Sequence, residues 1–93
     1  MKVAPGHVTF RSDSPYYDME RRGSKPNTLR VVPKHMLAAV LHARTITIVS
    51  TEGRGEFSAA ITSTIDVTRA MAKCGVTVPD TAALVVISWE VGK

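Results

Sequence analysis

The stretch Arg44–Gly75 constrains this chain more than any other. Thr45, Ile46, Thr47, Ile48 and Val49 are all β-branched, which suits a pleated, half-buried strand. Gly53-Arg54-Gly55 follows, a basic side chain between two residues that let the backbone turn. Beyond it Phe57, Ile61, Ile65, Thr68 and Ala72 recur at spacings of three and four, and Ala60, Val67, Met71 and Cys74 widen the stripe. That spacing predicts an amphipathic helix. Gly75 stands where a left-handed residue closes a helix. Glu56 stands in the first turn, where a carboxylate complements the helix dipole. The unit reads as strand, basic loop, helix. It places Arg54 beside a helix N-terminus, whose free N–H groups form an anion site.

The flanking chain fills in the rest. His7–Arg11 alternates, with Val8 and Phe10 on one face, and predicts a short strand. Residues 12–27, SDSPYYDMERRGSKPN, carry Pro, Gly, Ser and Asp without periodicity, so they predict a mobile loop. A connection this long in a small domain points to function or disorder. Within it Tyr16 and Tyr17 beside Arg21, Arg22 and Lys25 form a candidate stacking and phosphate-binding patch; the competing reading is a solvated loop with its tyrosines lying on the body. Residues 28–43 admit two readings: a strand over 28–32 and a helix over 34–43, or one helix from Asn27 kinked at Pro33. An internal proline costs a helix about 3 kcal/mol, which favours the first. Val76–Val78 predicts a short strand. Residues 83–91 predict the last strand, with Ala83, Val85, Ile87, Trp89 and Val91 on one face. The element order describes an α+β fold, a two-layer sandwich with two helices on one face of a small mixed sheet.

Ninety-three residues form a single domain. Such a chain buries roughly 60–70% of its unfolded surface, which leaves little room for a deep pocket. Residues 1–55 hold nine Lys/Arg and four acids, net +5, whereas residues 56–93 hold three and four, net −1. That asymmetry points to an anionic partner, nucleic acid above all; the bland alternative is a surface charge that only keeps a small protein dispersed. Aromatic residues are 5% of the chain, too few for a sheet that stacks bases in the RRM manner. The lone Cys74 excludes an internal disulfide and a cysteine zinc cage, and reads as a small core residue near a helix end. His35 and His42 have no third ligand in the pattern, so they read as surface histidines and no metal is expected. No apolar run reaches membrane-spanning length and the N-terminus lacks a signal-peptide core, so the expectation is an intracellular protein, cytoplasmic or nuclear.

Catalytic signatures are missing. There is no P-loop, GxSxG, HExxH or dinucleotide fingerprint. Ser50, Thr51, Ser58, Ser63 and Ser88 have no patterned His/Asp partner, and Asp66 stands alone. The expectation is a non-enzymatic protein without cofactors.

Ile46-Thr-Ile48, Gly53-Arg54-Gly55, Ala59-Ala-Ile61 and Ile65-Asp-Val67-Thr-Arg69 together resemble the strand, basic loop and helix of the Alba family of small DNA- and RNA-binding proteins. Ser24-Lys25-Pro26 is similar to the lysine-proline step that opens that family's first helix. The resemblance covers residues 24–75. It implies a homodimer whose body binds RNA or DNA through the phosphate backbone. Lys25 and Arg54 would be its central contacts, Arg21 and Arg22 its helpers, and Gly53 and Gly55 would let the strand approach. Such contacts position nucleic acid without reading its sequence. The alternative is an interaction or regulatory subunit that dimerises through the same sandwich and binds no nucleic acid.

Overall fold

The computed structural model describes residues 1–91. They form six strands and three helices: β1 (Lys2–Ala4), β2 (His7–Ser12), α1 (Tyr16–Arg22), β3 (Asn27–Pro33), α2 (Lys34–Leu41), β4 (Thr45–Ser50), β5 (Glu56–Asp66), α3 (Thr68–Lys73) and β6 (Ala82–Trp89). The strands make one mixed sheet in the order β1-β2-β4-β5-β6-β3. Only β2 and β4 are parallel; every other pair is antiparallel. The α+β class is as expected. The two-layer sandwich with two helices is not what forms: the sheet curls into a half-barrel around its own core.

The largest difference lies at residues 56–66, where the expected helix is the eleven-residue strand β5. Phe57, Ala59 and Ile61 alternate inward, paired with Ile48, Ile46 and Trp89. A register shift then leaves Thr62 without a partner on β6. After it the phase inverts, so Thr64 pairs with the buried Ile87 while Ile65 turns outward and is exposed. A bulge of this kind hides a period of two. It also accounts for the four-residue interval between Ile61 and Ile65 that imitated a helix. The local preference was on the strand's side throughout, because Ile61, Thr62, Thr64 and Ile65 are β-branched.

Other expectations hold or fall in smaller ways. The strand-plus-helix reading of residues 28–43 is the correct one, with Pro33 ending β3 and preceding the first residue of α2. Gly75 does close a helix, the short α3, with φ +85° and its N–H on the Ala72 carbonyl at 3.0 Å. Val76–Val78 is not a strand. Cys74 is exposed rather than part of the core. Residues 12–27 are not one continuous loop: they contain α1, whose two turns are too short to show a periodicity. The helix is held by Tyr17, which is almost fully buried.

The core lies inside the curl. Val8 and Phe10 of β2, Ile46 and Ile48 of β4, Val32 of β3, and Val85, Ile87 and Trp89 of β6 meet there with Tyr17 and Val40. Helix α2 closes one side through Val40, with Met36 and Leu37 packed against the same cluster. Tyr17, Phe57 and Trp89 form a chain of tilted rings with centroids 5.9 and 6.0 Å apart. It fastens α1 to β5 and β6.

Where β5 gives way to α3, the Asp66 carboxylate accepts from the Thr68 N–H at 2.9 Å and the Thr68 hydroxyl at 2.6 Å. These bonds hold its pKa below the ordinary 3.8. A carboxyl lowered in the folded state contributes stability above its unfolded pKa and loses it as pH falls through the folded one. The carboxylate is exposed and its interactions are screened by solvent, so Asp66→Ala is expected to cost only about 0.5 kcal/mol at neutral pH, the low end of what an exposed side-chain-to-backbone bond before a helix contributes. The difference from wild type should vanish in acid, read as converging urea midpoints. A gap that persists well below the carboxylate range would disprove this role.

Candidate functional site

The half-barrel does not close along its whole height. β1 pairs only with His7, Val8 and Thr9 of β2, so the end of β2 from Phe10 to Ser12 is an open edge. β3, the opposite edge of the sheet, faces it across a gap. On β3 the inward phase is Thr28, Arg30 and Val32, and the outward phase is Leu29 and Val31. Arg30 spans the gap. Its Nη1 donates to the Arg11 carbonyl at 2.7 Å, its Nη2 to the Ser12 hydroxyl, and its Nε to the Thr28 hydroxyl at 2.8 Å. Its guanidinium stacks 5.0 Å from the centre of the Phe10 ring. Burial lowers the Arg30 pKa, and the charges of Glu20 and Asp13 act against that shift. Arginine stays cationic under any such shift.

Helix α1 covers the gap. Glu20 lies one turn beyond Tyr17, on the same inward face, and is only 1% exposed. Gly23, at φ +81°, then turns the chain back so that the Lys25 N–H reaches the Met19 carbonyl at 3.1 Å. A left-handed turn of this kind suits glycine. The reversal lays the Lys25 ammonium 3.4 Å from Glu20 Oε2, and the same ammonium donates to the Asn27 carbonyl at 2.8 Å. Glu20 Oε1 is buried and has no hydrogen-bond partner. An orphaned buried acceptor costs about 1–3 kcal/mol, so this one is unusual in a folded chain.

Between these elements lies an open cavity of about 450 Å³, lined by Arg11, Tyr16, Glu20, Lys25, Thr28 and Arg30 among others. Three cations, two carboxylates (the buried Glu20 and the exposed Asp13) and one aromatic ring surround it. Tyr16 is 57% exposed, and the Lys25 ammonium stands 5.8 Å from the centre of its ring. A smaller cavity of about 240 Å³ also reaches Glu20 and is lined by Arg21, Phe57 and Trp89 among others.

The six residues singled out from sequence are not gathered in one place. Lys25 is in the larger cavity. Arg21 works on the other side of α1, where its Nη1 donates to the Tyr17 hydroxyl at 3.1 Å and the Arg54 carbonyl at 3.3 Å. Arg22 is exposed in the last turn of α1. Gly53 and Gly55 have φ of +73° and +98° in the turn between β4 and β5. A side chain at position 55 would press on Arg21 Nη1 at 3.2 Å. Arg54 is half exposed with its Nη1 3.3 Å from Asp18. The anion site expected beside Arg54 does not form, because a strand follows the turn and supplies no helix N-terminus. The turn is instead latched to the chain before and within α1. Besides the two arginine contacts, the Ser14 N–H donates to Glu52 Oε1 at 2.9 Å and the Thr51 hydroxyl to Asp13.

Sequence reasoning missed Arg11, Glu20, Thr28 and Arg30. For Arg30 a signal existed, since a lone charge inside Thr-Leu-Arg-Val-Val marks either the wet face of a strand or an edge that opens. Among the described residues no group of three or more His, Cys, Asp or Glu comes together to hold a metal, and His35 and His42 are exposed. No family model, curated protein or solved structure matches this chain.

Proposed function

We propose that the protein is a non-enzymatic nucleic-acid-binding module that holds a single strand of RNA or DNA across the gap between β2 and β3. One observation carries the reading: Arg11, Lys25 and Arg30 surround one open cavity beside the exposed ring of Tyr16. Basic side chains that follow a backbone, with an aromatic face for a base, are the recurring elements of single-strand binding. The excess of positive charge in residues 1–55 has the same sign. Arg22 extends the basic surface, and Arg54, partly neutralised by Asp18, is a peripheral contact. The proposal does not lean on the Alba resemblance, since residues 59–61 and 65–69, which carried it, lie on β5 and at the start of α3 rather than on one long helix.

The second reading is a module that dimerises and binds no nucleic acid. It draws on the outer face of the far edge, where Leu29, Val86 and Ile65 are in register across β3, β6 and β5 and Val31 lies beside them. Leu29, Val31 and Ile65 are each about half exposed. Exposed apolar patches mark interfaces.

Fluorescence anisotropy of labelled single-stranded RNA and DNA over a salt series separates the two. With about three phosphates held, log K should fall against log[salt] with a slope near −2, at roughly 0.7 per phosphate. Arg11→Ala should reduce affinity several-fold on all sequences and flatten the slope by about 0.7, whereas Arg54→Ala should do less on both counts. No binding at low salt, together with a dimer mass in light scattering, would favour the second reading.

A further inference from the structure

The partnerless oxygen of Glu20 says more than that an anion binds nearby. An anionic backbone alone would leave it unsatisfied, because phosphate oxygens only accept. Whatever completes the cavity must bring a hydrogen-bond donor for Glu20, an N–H or an O–H, as well as acceptors for the cations. Lys25 has three N–H donors and spends two, on Glu20 and Asn27, so one remains. Arg30 has five and spends three, so two remain. The cavity is therefore lined by a carboxylate whose free acceptor is buried beside a lysine donor and is reached once the Glu20 or Lys25 side chain turns; Arg30, with two further guanidinium hydrogens, and the exposed flat ring of Tyr16 complete the lining. About 450 Å³ accommodates one nucleobase with its sugar.

Resting on the nucleic-acid reading above, we infer that this cavity reads one unpaired nucleotide whose base carries an amino group. The amino group donates to Glu20 Oε1, the ring nitrogen beside it accepts from Lys25, the base lies on Tyr16, and the phosphate is held by Arg11 and Arg30. On their Watson–Crick edges cytosine and adenine present that amino group next to an acceptor nitrogen, whereas guanine sets its amino group beside an N–H that would oppose Lys25; a carboxylate accepting from the cytosine amino group is an established direct contact. Uracil presents one N–H between two carbonyl oxygens, so it cannot meet the carboxylate without bringing a carbonyl oxygen close to it. Selectivity of this kind departs from a purely positional phosphate grip. Unpaired bases are accessible to it because their hydrogen-bonding edges are free.

The test titrates the full chain with CMP, AMP, UMP and ribose 5-phosphate by NMR, and with the single strands rC10 and rU10 by anisotropy. CMP or AMP should bind about tenfold or more tightly than UMP, with ribose 5-phosphate weakest, and rC10 more tightly than rU10. Glu20→Gln keeps the shape of the side chain and should erase most of the preference, weakening CMP and AMP while relieving the repulsion that excludes uracil, so that UMP binds no more weakly than to wild type. Tyr16→Ala changes an exposed residue, so the fold should persist, and affinity for every base-bearing ligand should fall at least fivefold. Salt-dependent strand binding with no preference between rC10 and rU10, or an unchanged preference in Glu20→Gln, would overturn the inference and leave the general function standing. Selective binding of CMP, with rC10 held no more tightly than CMP, would support the pocket and identify a free nucleotide as its ligand, at the expense of the strand-binding reading. Binding of neither class of probe would end both.

Discussion

Trp89→Ala is expected to lower the stability of this protein by about 3–5 kcal/mol, the usual cost of removing a large aromatic from a core. Trp89 is 5% exposed and its ring stands 6.0 Å from that of Phe57, which in turn stands 5.9 Å from Tyr17. A domain of this size has only about 5–15 kcal/mol in total, and each kilocalorie is worth about 4–8 °C in melting temperature. The variant should therefore melt at least about 12 °C below wild type. The loss should reach beyond β6. Tyr17 and Glu20 are the buried residues of α1, so loosening the ring chain should expose α1 amides to hydrogen exchange before those of β4, whose neighbours Val8 and Phe10 are untouched. A fall of less than about 1.5 kcal/mol, or α1 protection equal to wild type, would show that the rings are not what anchors the helix.

Breaking the Lys25–Glu20 pair should have the next largest effect, and an asymmetric one. Glu20 is buried at 1% exposure, whereas the Lys25 side chain retains 28%. Lys25→Met strands a carboxylate away from water. Removing one partner of a fully buried pair costs about 3–5 kcal/mol, and the partial exposure here brings the expectation down to about 2–3 kcal/mol. Glu20→Met should cost less, because Lys25 keeps the Asn27 carbonyl at 2.8 Å and can turn toward solvent. The double variant should recover most of the Lys25→Met loss, since two apolar groups of similar volume tolerate the site that one unpaired charge does not. Urea midpoints of the four proteins form a double-mutant cycle. A coupling energy near zero would mean that the pair does not act as a unit, and would weaken the case that Glu20 is held ready for a ligand.

Local chemistry settled a good part of this chain in advance. The β-branched run 45–49 is β4 because such residues suit a pleated surface wherever they are buried. Pro33 separated β3 from α2 because it cannot sit inside a helix at acceptable cost. Alternation along the last strand predicted that Ala83, Val85, Ile87 and Trp89 share the core, although the strand ends at Trp89 and Val91, expected on the same face, is exposed. Charge counting placed the basic half of the molecule before residue 56, and of the candidate patch Tyr16, Tyr17, Arg21, Arg22 and Lys25 only Tyr16 and Lys25 line the larger cavity. What decided the rest was distant in sequence. Residues 57–65 satisfied a helical spacing and a strand propensity at once. The balance fell to β4 and β6, which offer hydrogen bonds to both halves of β5 and a bulge between them. The role of Gly53-Arg54-Gly55 changed with it, from the mouth of a helix to a hairpin turn held down by Asp18 and Arg21. Glu20 and Arg30 were invisible as a site because their meaning depends on burial. A carboxylate on a short helix is ordinary until Tyr17 draws that face inward, and an arginine in a strand is ordinary until the far edge of a curled sheet comes within its reach. Periodicity reports which face of an element is apolar. Only the closing of the sheet on itself determines which charges are left inside the gap.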